Sequence, residues 1–274
     1  MARSVVITGG GGGLGRAMAL AFARTGDRVT LLDQDPALLA EAAAELGSAG
    51  HHVATVVCDV TDPTTCEAAM GAVERAEGGI DVLVNNAGVT HRSLFADTDT
   101  AVLRKVMEVN LFGAVHCTRA ALPALLQSRG VIVVLSSVAG FAPLLGRTGY
   151  AASKHALHGF FGSLRTELVG AGVSVLLVCP SFVDTPLDRR AMAGDGAPIT
   201  GPRALAGRPL RPDQVAEAVL RAVSRRRRLL PVSPVAWASL WLSRLLPAVY
   251  DRVMLRSQRG EFEARSRVRD RANL

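Results

Sequence analysis

A run of glycines lies between an apolar strand and an apolar helix near the start of the chain. Residues 4–8 are a β-branched run that predicts a buried strand, residues 9–15 contain six glycines, and residues 16–23 carry the apolar spacing of a helix. A strand, a tight glycine turn and a helix open many parallel α/β sheets, where the turn presents backbone N–H groups to a pyrophosphate. A flexible linker is the alternative, and the apolar segments on both sides disfavour it.

Strand-like and helix-like segments continue to alternate to about residue 232, which indicates the α/β class. We predict strands at 4–8, 28–33, 52–58, 80–84, 131–136, 173–179 and about 229–232, and long helices at 99–127 and 150–170. The expected architecture is one Rossmann-type, doubly wound parallel β-sheet domain in residues 1–233. A basic, amphipathic helical C-terminal extension is expected in residues 234–274.

Asp33 ends the second predicted strand, 18 residues after Gly15. A carboxylate at this place can accept hydrogen bonds from the ribose hydroxyls of NAD, and it repels the extra phosphate of NADP. Gly12, not a basic residue, precedes Gly13, and Arg16 is the nearest cation that could turn inward. The sequence therefore predicts NAD as the cofactor, with NADP less favoured.

Tyr150 and Lys154 are four positions apart in a predicted helix, so they share one face. Each belongs to a rare type here, because the chain has 2 tyrosines and its only other lysine is Lys105. Tyrosine is a poor base near neutral pH unless a cation stabilises its phenolate, and a compact ammonium serves this purpose differently from a guanidinium. The pair predicts an acid–base site, although a surface Tyr–Lys pair would have the same spacing.

Together with several further motifs, these residues resemble the short-chain dehydrogenase/reductase family over roughly residues 4–232. Thr8-Gly9 through Gly13-Leu14-Gly15 matches the family's TGxxxGxG loop, and Asn85-Asn86-Ala87-Gly88 matches its NNAG turn. Ser137 precedes Tyr150 by thirteen residues, the spacing of the family's catalytic serine. Further matches are Asp59-Val60, the adenine-contacting pair; Asn110, the helix asparagine; and Pro180 to Thr185, the PGxxxT segment, in which Ser181 replaces the usual glycine.

The resemblance implies which residues hold the cofactor and which act in catalysis. The implied cofactor contacts are Thr8, Gly9, Gly13, Leu14, Gly15, Asp33, Asp59, Val60, Asn86, Ala87, Gly88, Tyr150, Lys154, Pro180, Val183 and Thr185. The implied catalytic set is Asn110, Ser137, Tyr150 and Lys154. In the family's reaction Tyr150 would exchange a proton with the substrate, Lys154 would lower its pKa and hold the ribose, and Ser137 would bind the substrate oxygen. Asn110 would hold a water that links Lys154 to solvent.

The implied activity is reversible hydride transfer between NAD and an alcohol or carbonyl. Residues 141–145, with Val183, Pro186 and Leu187, are predicted walls of the site, and their apolar character favours a lipid, steroid or terpenoid-like secondary alcohol or ketone. Residues 191–207 predict a lid ordered by ligand. Arg92 or Arg147 could receive an acidic group, but solvated surface positions are the simpler interpretation.

Two alternatives belong to other functional classes, namely a non-catalytic NAD-binding sensor and a membrane-surface scaffold. A sensor needs no proton-transfer set, whereas the chain has the whole set at the family's spacing. The scaffold would account for the extension and leave the rest of the chain unexplained.

The extension carries the chain's basic excess. Residues 1–224 have 19 basic and 20 acidic side chains, whereas residues 225–274 have 12 arginines and 4 acidic side chains. The extension lacks a nucleic-acid recognition motif, so no nucleic-acid partner is predicted. Trp237 and Trp241, with leucines and flanking arginines, favour a helix lying in a membrane interface. Packing on the body or on a second subunit is the alternative.

Cysteine and histidine positions indicate neither a disulfide framework nor a metal. The 4 cysteines form no CxxC and the 6 histidines have no evident metal partner set, so we expect buried thiols and no catalytic metal. Residues 1–3 show no secretory signal, which predicts a cytoplasmic protein, with peripheral membrane contact through the extension. The apolar content of helices 99–127 and 150–170 predicts a homodimer or homotetramer.

Overall fold

The protein contains one seven-stranded parallel sheet, seen in a computed structural model that describes residues 2–185, 187, 190–199 and 208–258. The strands are β1 (Ser4–Thr8), β2 (Arg28–Asp33), β3 (Ala54–Val57), β4 (Val82–Asn85), β5 (Val131–Leu135), β6 (Ser174–Cys179) and β7 (Leu229–Pro231). They lie in the order β3-β2-β1-β4-β5-β6-β7. The order reverses between β1 and β4, so a crevice forms beyond the carboxyl ends of these two strands.

Helices cover both faces of the sheet, which confirms the predicted fold class. They are α1 (Gly13–Ala23), α2 (Pro36–Ser48), α3 (Pro63–Glu77), α4 (Thr100–Met107), α5 (Gly113–Ser128), α6 (Thr148–Leu168), α7 (Pro212–Ser224) and α8 (Pro234–Leu245). Helices α1, α2 and α7 pack on one face around Phe22, and α3, α5 and α6 pack on the other around Phe161. Both phenylalanines are fully buried.

Several helices begin at an N-cap side chain followed by proline, which fixes where the chain leaves its strand. Asp35 Oδ1 accepts the N–H of Ala37 at 2.9 Å, and Asp62 Oδ1 accepts that of Thr64 at 2.8 Å. The proline that follows each cap suits the first helical position, where its missing N–H costs no hydrogen bond. Ser233 caps α8 in the same way.

The observed elements differ from the predicted ones in two places. The predicted strand 52–58 is reduced to β3, an edge strand with exposed side chains, because it pairs with β2 alone. The predicted helix 99–127 is interrupted between α4 and α5 by a π turn over Glu108–Phe112. By length and composition the stretch Thr100–Ser128 is one that could cross a membrane. Several of its apolar residues, among them Cys117, Ala121 and Leu125, are buried in the core, as in a core helix of a folded domain.

The described part of the extension packs on the body of the protein. It consists of α8 and of helical residues 247–258, which we call the terminal helix. Ala236 and Tyr250 pack with Val138 and Ala142 from the segment after β5. The Gln258 side-chain oxygen accepts the N–H of Leu145 at 3.1 Å. Extension and body therefore share a small apolar core.

Candidate active site

The glycine turn lies against the end of β4 in a way that only glycine permits. Gly9 has a φ of +62°, and a Cβ there would lie 2.9 Å from the Cα of Ala87. A Cβ on Gly15 would lie 2.4 Å from the carbonyl oxygen of Gly9. Any side chain at either position would displace the turn.

Thr8 and Asn86 fasten this turn to the neighbouring strand. The Thr8 hydroxyl accepts the backbone N–H groups of Asn86 and Ala87, each at 3.0 Å. The Asn86 amide donates to the carbonyl oxygens of Thr8 and Gly9, at 3.0 and 3.1 Å. Thr8 is buried and is not among the residues that line the cleft, and its observed contacts position the turn.

Asp33 and Arg16 both bind the backbone of the glycine turn, but Arg16 does not line the cleft. Asp33 Oδ2 accepts the N–H of Gly11 at 3.1 Å. The Arg16 guanidinium donates to the Gly11 carbonyl oxygen at 2.8 Å and pairs with Glu41 and Glu45 on α2, at 2.9 and 3.1 Å. Arg16 therefore does not turn inward.

Asp59 follows β3 and faces the same cleft from its other rim. Its Oδ1 accepts both the N–H and the hydroxyl of Thr61, at 2.9 and 2.8 Å. Beneath it lie three buried free thiols, with Sγ–Sγ distances of 4.0 Å from Cys58 to Cys66 and 3.6 Å from Cys66 to Cys117. Cys179 is buried and free as well, so the expectation of buried thiols is confirmed.

The acid–base candidates meet at the carboxyl end of β5. Tyr150 and Lys154 lie on α6, with Lys154 Nζ 5.6 Å from the centre of the Tyr150 ring. Lys154 Nζ donates to the Leu135 carbonyl oxygen at 2.7 Å, which anchors the ammonium at the strand end. Ser137 is two residues further along, close enough for its hydroxyl to lower the pKa of the Tyr150 phenol.

Burial dominates the electrostatics of this group. It raises the pKa of the Tyr150 phenol above its ordinary value, while the Ser137 hydrogen bond and the charge of Arg147 oppose the rise. Burial also lowers the pKa of Lys154 to about 8, so the amine is still mainly charged at neutral pH. The pKa of Tyr150 is thus raised overall. The cation that opposes this rise is Arg147, whereas the sequence predicted Lys154 in that role.

Asn110 lies behind the cleft wall, within the π turn. Its Oδ1 accepts the N–H of Val89 at 2.8 Å, and its Nδ2 donates to the Val89 carbonyl oxygen and to the Ser153 hydroxyl, at 3.0 and 2.9 Å. The side chain is thus mainly occupied in joining the segment after β4 to α6. Insertions of this kind in a helix recur at functional sites.

His91, Arg92 and Arg147 are buried close to the start of α6, and their burial was not predicted from the sequence. His91 Nε2 accepts the N–H of Gly149 at 3.0 Å, and burial together with the charge of Arg147 lowers the pKa of His91 to about 4. Arg147 donates to the His91 carbonyl oxygen at 3.2 Å. The expectation of solvated arginines was wrong, since Arg92 is 3% and Arg147 is 7% exposed.

A cleft of about 980 Å³ joins these groups. Apart from Thr8, every predicted cofactor residue lines it, as does Ser137. The far end is lined by Leu144, Arg147, Leu187, Met192, Val235, Ser239, Tyr250 and Met254, among others. This arrangement has room for a dinucleotide at one end and an apolar ligand at the other.

The wall of the far end differs from the predicted one. Leu144 and Leu187 line the cleft as expected, whereas Phe141 and Ala142 pack against the extension. Pro186 lies outside the described residues, and so do residues 200–207 of the predicted lid. Residues 191–199 are tied to the body, because Met192 donates to Thr90 and Arg92 donates to Met192 through the backbone, both at 2.9 Å. This part therefore lies against the body, and Met192 forms part of the cleft wall.

Four cleft residues come from the extension and were not predicted as site residues. They are Val235 and Ser239 of α8, and Tyr250 and Met254 of the terminal helix. Each pair is four positions apart and so shares a helix face. Tyr250 is one of only 2 tyrosines in the chain, and its rarity is a signal that could have indicated the inward face. No local sequence pattern, however, predicts which part of the body that face contacts. Among the described residues, no group of three or more metal-binding side chains is present.

Comparisons with known proteins agree with this geometry. Residues 3–195 match the family model described as short chain dehydrogenase. The chain is 34% identical over 269 residues to the Bos taurus protein named dehydrogenase/reductase SDR family member 7B, covering 95% of this chain and 83% of that protein. It is 38% identical over 256 residues to the Mycobacterium tuberculosis probable oxidoreductase EphD, covering 89% of this chain but 43% of that longer protein.

Solved structures are similar over most of the chain. A short-chain dehydrogenase/reductase from Burkholderia phymatum in complex with NAD has a TM-score of 0.79 and 29% identity, covering 89% of this chain and 93% of that one. An alcohol dehydrogenase from Thermococcus sibiricus complexed with 5-hydroxy-NADP has a TM-score of 0.72 and 26% identity, covering 84% and 96%. The two neighbours thus differ in the cofactor they hold.

Proposed function

The chain belongs to the short-chain dehydrogenase/reductase family of oxidoreductases, and we propose that it is an NAD-dependent alcohol dehydrogenase or ketoreductase acting on apolar secondary alcohols and ketones. One observation carries the proposal. Ser137 and Tyr150, with Lys154 beside them, lie in a cleft whose opposite end holds Asp33 and the glycine turn. A nucleotide site and a proton-transfer site are thus parts of one cavity.

The residues at the nucleotide end fit NAD. Gly12 and Gly13 leave the cleft floor free of side chains, and the Asp33 carboxylate is fixed beside them for ribose hydroxyls. Of the described residues, those lining the cleft next to Asp33 are Gln34, Asp35 and Leu38, and none of them is basic. This end therefore favours an uncharged ribose over one that carries a phosphate.

The chain's own groups would manage the proton and the charge. In ketone reduction Tyr150 would donate its phenol proton to the carbonyl oxygen, and in alcohol oxidation the Tyr150 phenolate would accept the hydroxyl proton. Ser137 donates a hydrogen bond to the same oxygen and so stabilises the charge that develops on it, which is worth about 3 kcal/mol for one such donor. NAD, when bound, supplies the hydride acceptor, and its reduced form supplies the donor.

Lys154 and Asn110 support this exchange from behind. The Lys154 ammonium, held by the Leu135 carbonyl oxygen, would bind the ribose of the nicotinamide half. Asn110 fixes the segment after β4, and any water relay would use the acceptor capacity of its Oδ1. Acid–base help of this kind contributes about 10²–10⁴-fold to a rate.

The apolar end of the cleft supports the proposed substrate class. Leu144, Leu187, Met192 and Met254 surround the space beyond Tyr150, with the buried Arg147 at its edge. Such a wall stabilises a hydrocarbon body by excluding water, and the hydroxyls of Ser137 and Tyr150 are available to the reacting oxygen.

A substrate screen tests the proposal. Secondary alcohols and ketones of graded chain length and ring size should be offered with NAD or NADH, and turnover followed by absorbance of the reduced nicotinamide. We expect kcat/KM to rise with apolar size and to fall when a charged group is added. Binding of NAD without turnover of any alcohol or ketone would instead favour the sensor.

A further inference from the structure

Each helix of the extension has an inner and an outer face. On α8, Ala236 and Leu240 are buried against the body, whereas Trp237, Trp241 and Leu245 are exposed by 47, 54 and 69%. Residues of each set are four positions apart, so each forms one stripe of the helix. The terminal helix repeats the arrangement, with Tyr250, Met254 and Gln258 inward.

The exposed apolar residues of the two helices make up what we call the tail patch. It comprises Val235, Trp237, Trp241, Leu245, Leu246, Val249, Val253 and Leu255, which are 8 of the 16 exposed large hydrophobic residues in the described part of the chain. Half of these residues thus come from 21 positions. Concentration on this scale marks an interaction site, whereas apolar residues scattered singly over a surface are ordinary.

The charges around the tail patch point to its occupant. Arg244, Arg252 and Arg256 are exposed on the same two helices, and Asp251 is the one acidic residue between 229 and 258. Tryptophans among aliphatic residues with flanking arginines suit the boundary between lipid headgroups and acyl chains. A protein partner of matching chemistry would instead need an acidic rim around an apolar centre.

Arg225 to Arg228 do not belong to this surface. The Arg226 guanidinium donates to the carbonyl oxygens of Gly172 and Arg129, at 2.7 and 2.6 Å, at the amino-terminal edge of the sheet. This edge is at the opposite end of β7 from α8. The arginine run is therefore separate from the tail patch.

We propose that the tail patch docks on an anionic membrane and that the substrate cleft opens onto that membrane. Val235 lines the cleft and is also 41% exposed, so α8 contributes both to the cleft wall and to the tail patch. A hydrophobic alcohol or ketone dissolved in the bilayer would then reach Tyr150 along apolar surface. This second step rests on the proposed function, whereas the docking does not.

Vesicle binding of the full chain tests the docking without any cofactor or substrate. Sedimentation with phosphatidylglycerol vesicles at low salt should carry the protein down, and pure phosphatidylcholine should retain much less. Trp237→Gln with Trp241→Gln should weaken binding by about tenfold or more, because both rings leave the interface. Replacing Arg244, Arg252 and Arg256 by Gln should cost about fivefold each, from about 1 kcal/mol per near-surface charge.

A matched control and a second readout distinguish membrane docking from a protein interface. Val169→Gln removes an equally exposed apolar side chain at the opposite edge of the sheet, and it should bind vesicles like the wild type. The docking is overturned if the wild type stays in the supernatant with anionic vesicles at low salt. It is also overturned if the tryptophan variant binds undiminished, or if light scattering shows that this variant dissociates an oligomer, which would make the tail patch a protein interface.

Activity measurements test the route of the substrate. The tryptophan variant should turn over a water-soluble alcohol as the wild type does, and should lose about tenfold in rate on a long-chain alcohol embedded in anionic vesicles. Equal loss on both substrates would refute entry from the membrane. Vesicle binding with no turnover of any alcohol would refute the proposed function and leave the docking intact.

Discussion

Tyr150 and Tyr250 line the same cleft, and their hydroxyls are in different surroundings. Lys154 lies beside Tyr150, and the Ser137 hydroxyl acts to lower the Tyr150 pKa. The Tyr250 hydroxyl is buried without a hydrogen-bond partner among apolar residues of the extension, and burial raises its pKa to about 12 although Ser239 opposes the rise. A phenol without a cation beside it has less means of stabilising its anion. Of the two, Tyr150 alone is therefore equipped for proton exchange.

Tyr150→Phe should lower kcat by at least about 10²-fold, because it removes the exchanging proton and keeps the ring. Tyr250→Phe removes the same atom from the other end of the cleft and should change KM more than kcat. NAD binding, measured by titration calorimetry, should be similar in both variants. A Tyr150→Phe enzyme with more than about a tenth of the wild-type kcat would contradict the proposed mechanism.

Asp33 and Arg16 together should decide between NAD and NADP. Asp33→Asn removes a charge that would face the extra phosphate, and like charges placed together cost several kcal/mol. The ratio of kcat/KM for NAD to that for NADP should fall about tenfold or more. Glu41→Gln with Glu45→Gln removes both ion pairs of Arg16, although its hydrogen bond to the Gly11 carbonyl oxygen remains. This variant should lower the same ratio by making the Arg16 charge available to the extra phosphate. A wild type that uses NADP as well as NAD would refute the assignment.

The start of α6 is held by a residue from a distant loop. Arg147 at the N-cap position makes no side-chain cap, and the free N–H of Gly149 is instead bound by His91 Nε2. An acceptor is needed there, because the first N–H groups of a helix have no partner within it. The neutral imidazole thus positions the helix that carries Tyr150 and Lys154.

This arrangement should make the fold sensitive to acid. The pKa of His91 is about 4 in the folded protein and near 6.5 when unfolded, so the unfolded chain binds more protons between these values. The free energy of unfolding should therefore fall as pH drops from 6.5 towards 4, with His158 contributing in the same direction. The slope for one such group is at most about 1.4 kcal/mol per pH unit.

Urea unfolding at pH 7.5 and 5, followed by circular dichroism, should show the difference. His91→Gln, which cannot titrate, should be less stable than the wild type at pH 7.5 and should lose less stability on going to pH 5. An unchanged pH dependence in the variant would mean that other groups control acid unfolding.

Apolar side chains on the outer surface of α5 and α6 favour an oligomer. Phe112, Leu126 and Phe160 remain partly exposed next to helices that already cover one sheet face. We expect a dimer or tetramer of the 28.7 kDa chain in light scattering, and a smaller species for Phe112→Gln with Phe160→Gln. Phe95→Gln, at another exposed site, should leave the mass unchanged. A monomer at all concentrations would refute the prediction.

The sequence predicted those features whose cause is local. Strand positions follow from apolar runs, and the placing of Gly9, Asp33 and Asn86 near one another follows from their positions after parallel strands. The remaining features depend on contacts between distant residues. His91 meets Gly149 across 58 positions and Gln258 meets Leu145 across 113, and no periodicity encodes such pairings. For the same reason the sequence predicted an amphipathic extension but not the residues of the body on which its inner face packs.

The two ends of the cleft are completed at different points along the chain. The nucleotide end and the catalytic group are built by residues up to Thr185, whereas the apolar wall includes Val235 of α8 and Met254 of the terminal helix. Chains emerge from the ribosome in this order, and segments begin to pack as they appear. The wall of the proposed substrate site is thus completed later in synthesis than the nucleotide crevice, so a chain that still lacks α8 and the terminal helix has no closed substrate site, even where its nucleotide crevice has begun to form.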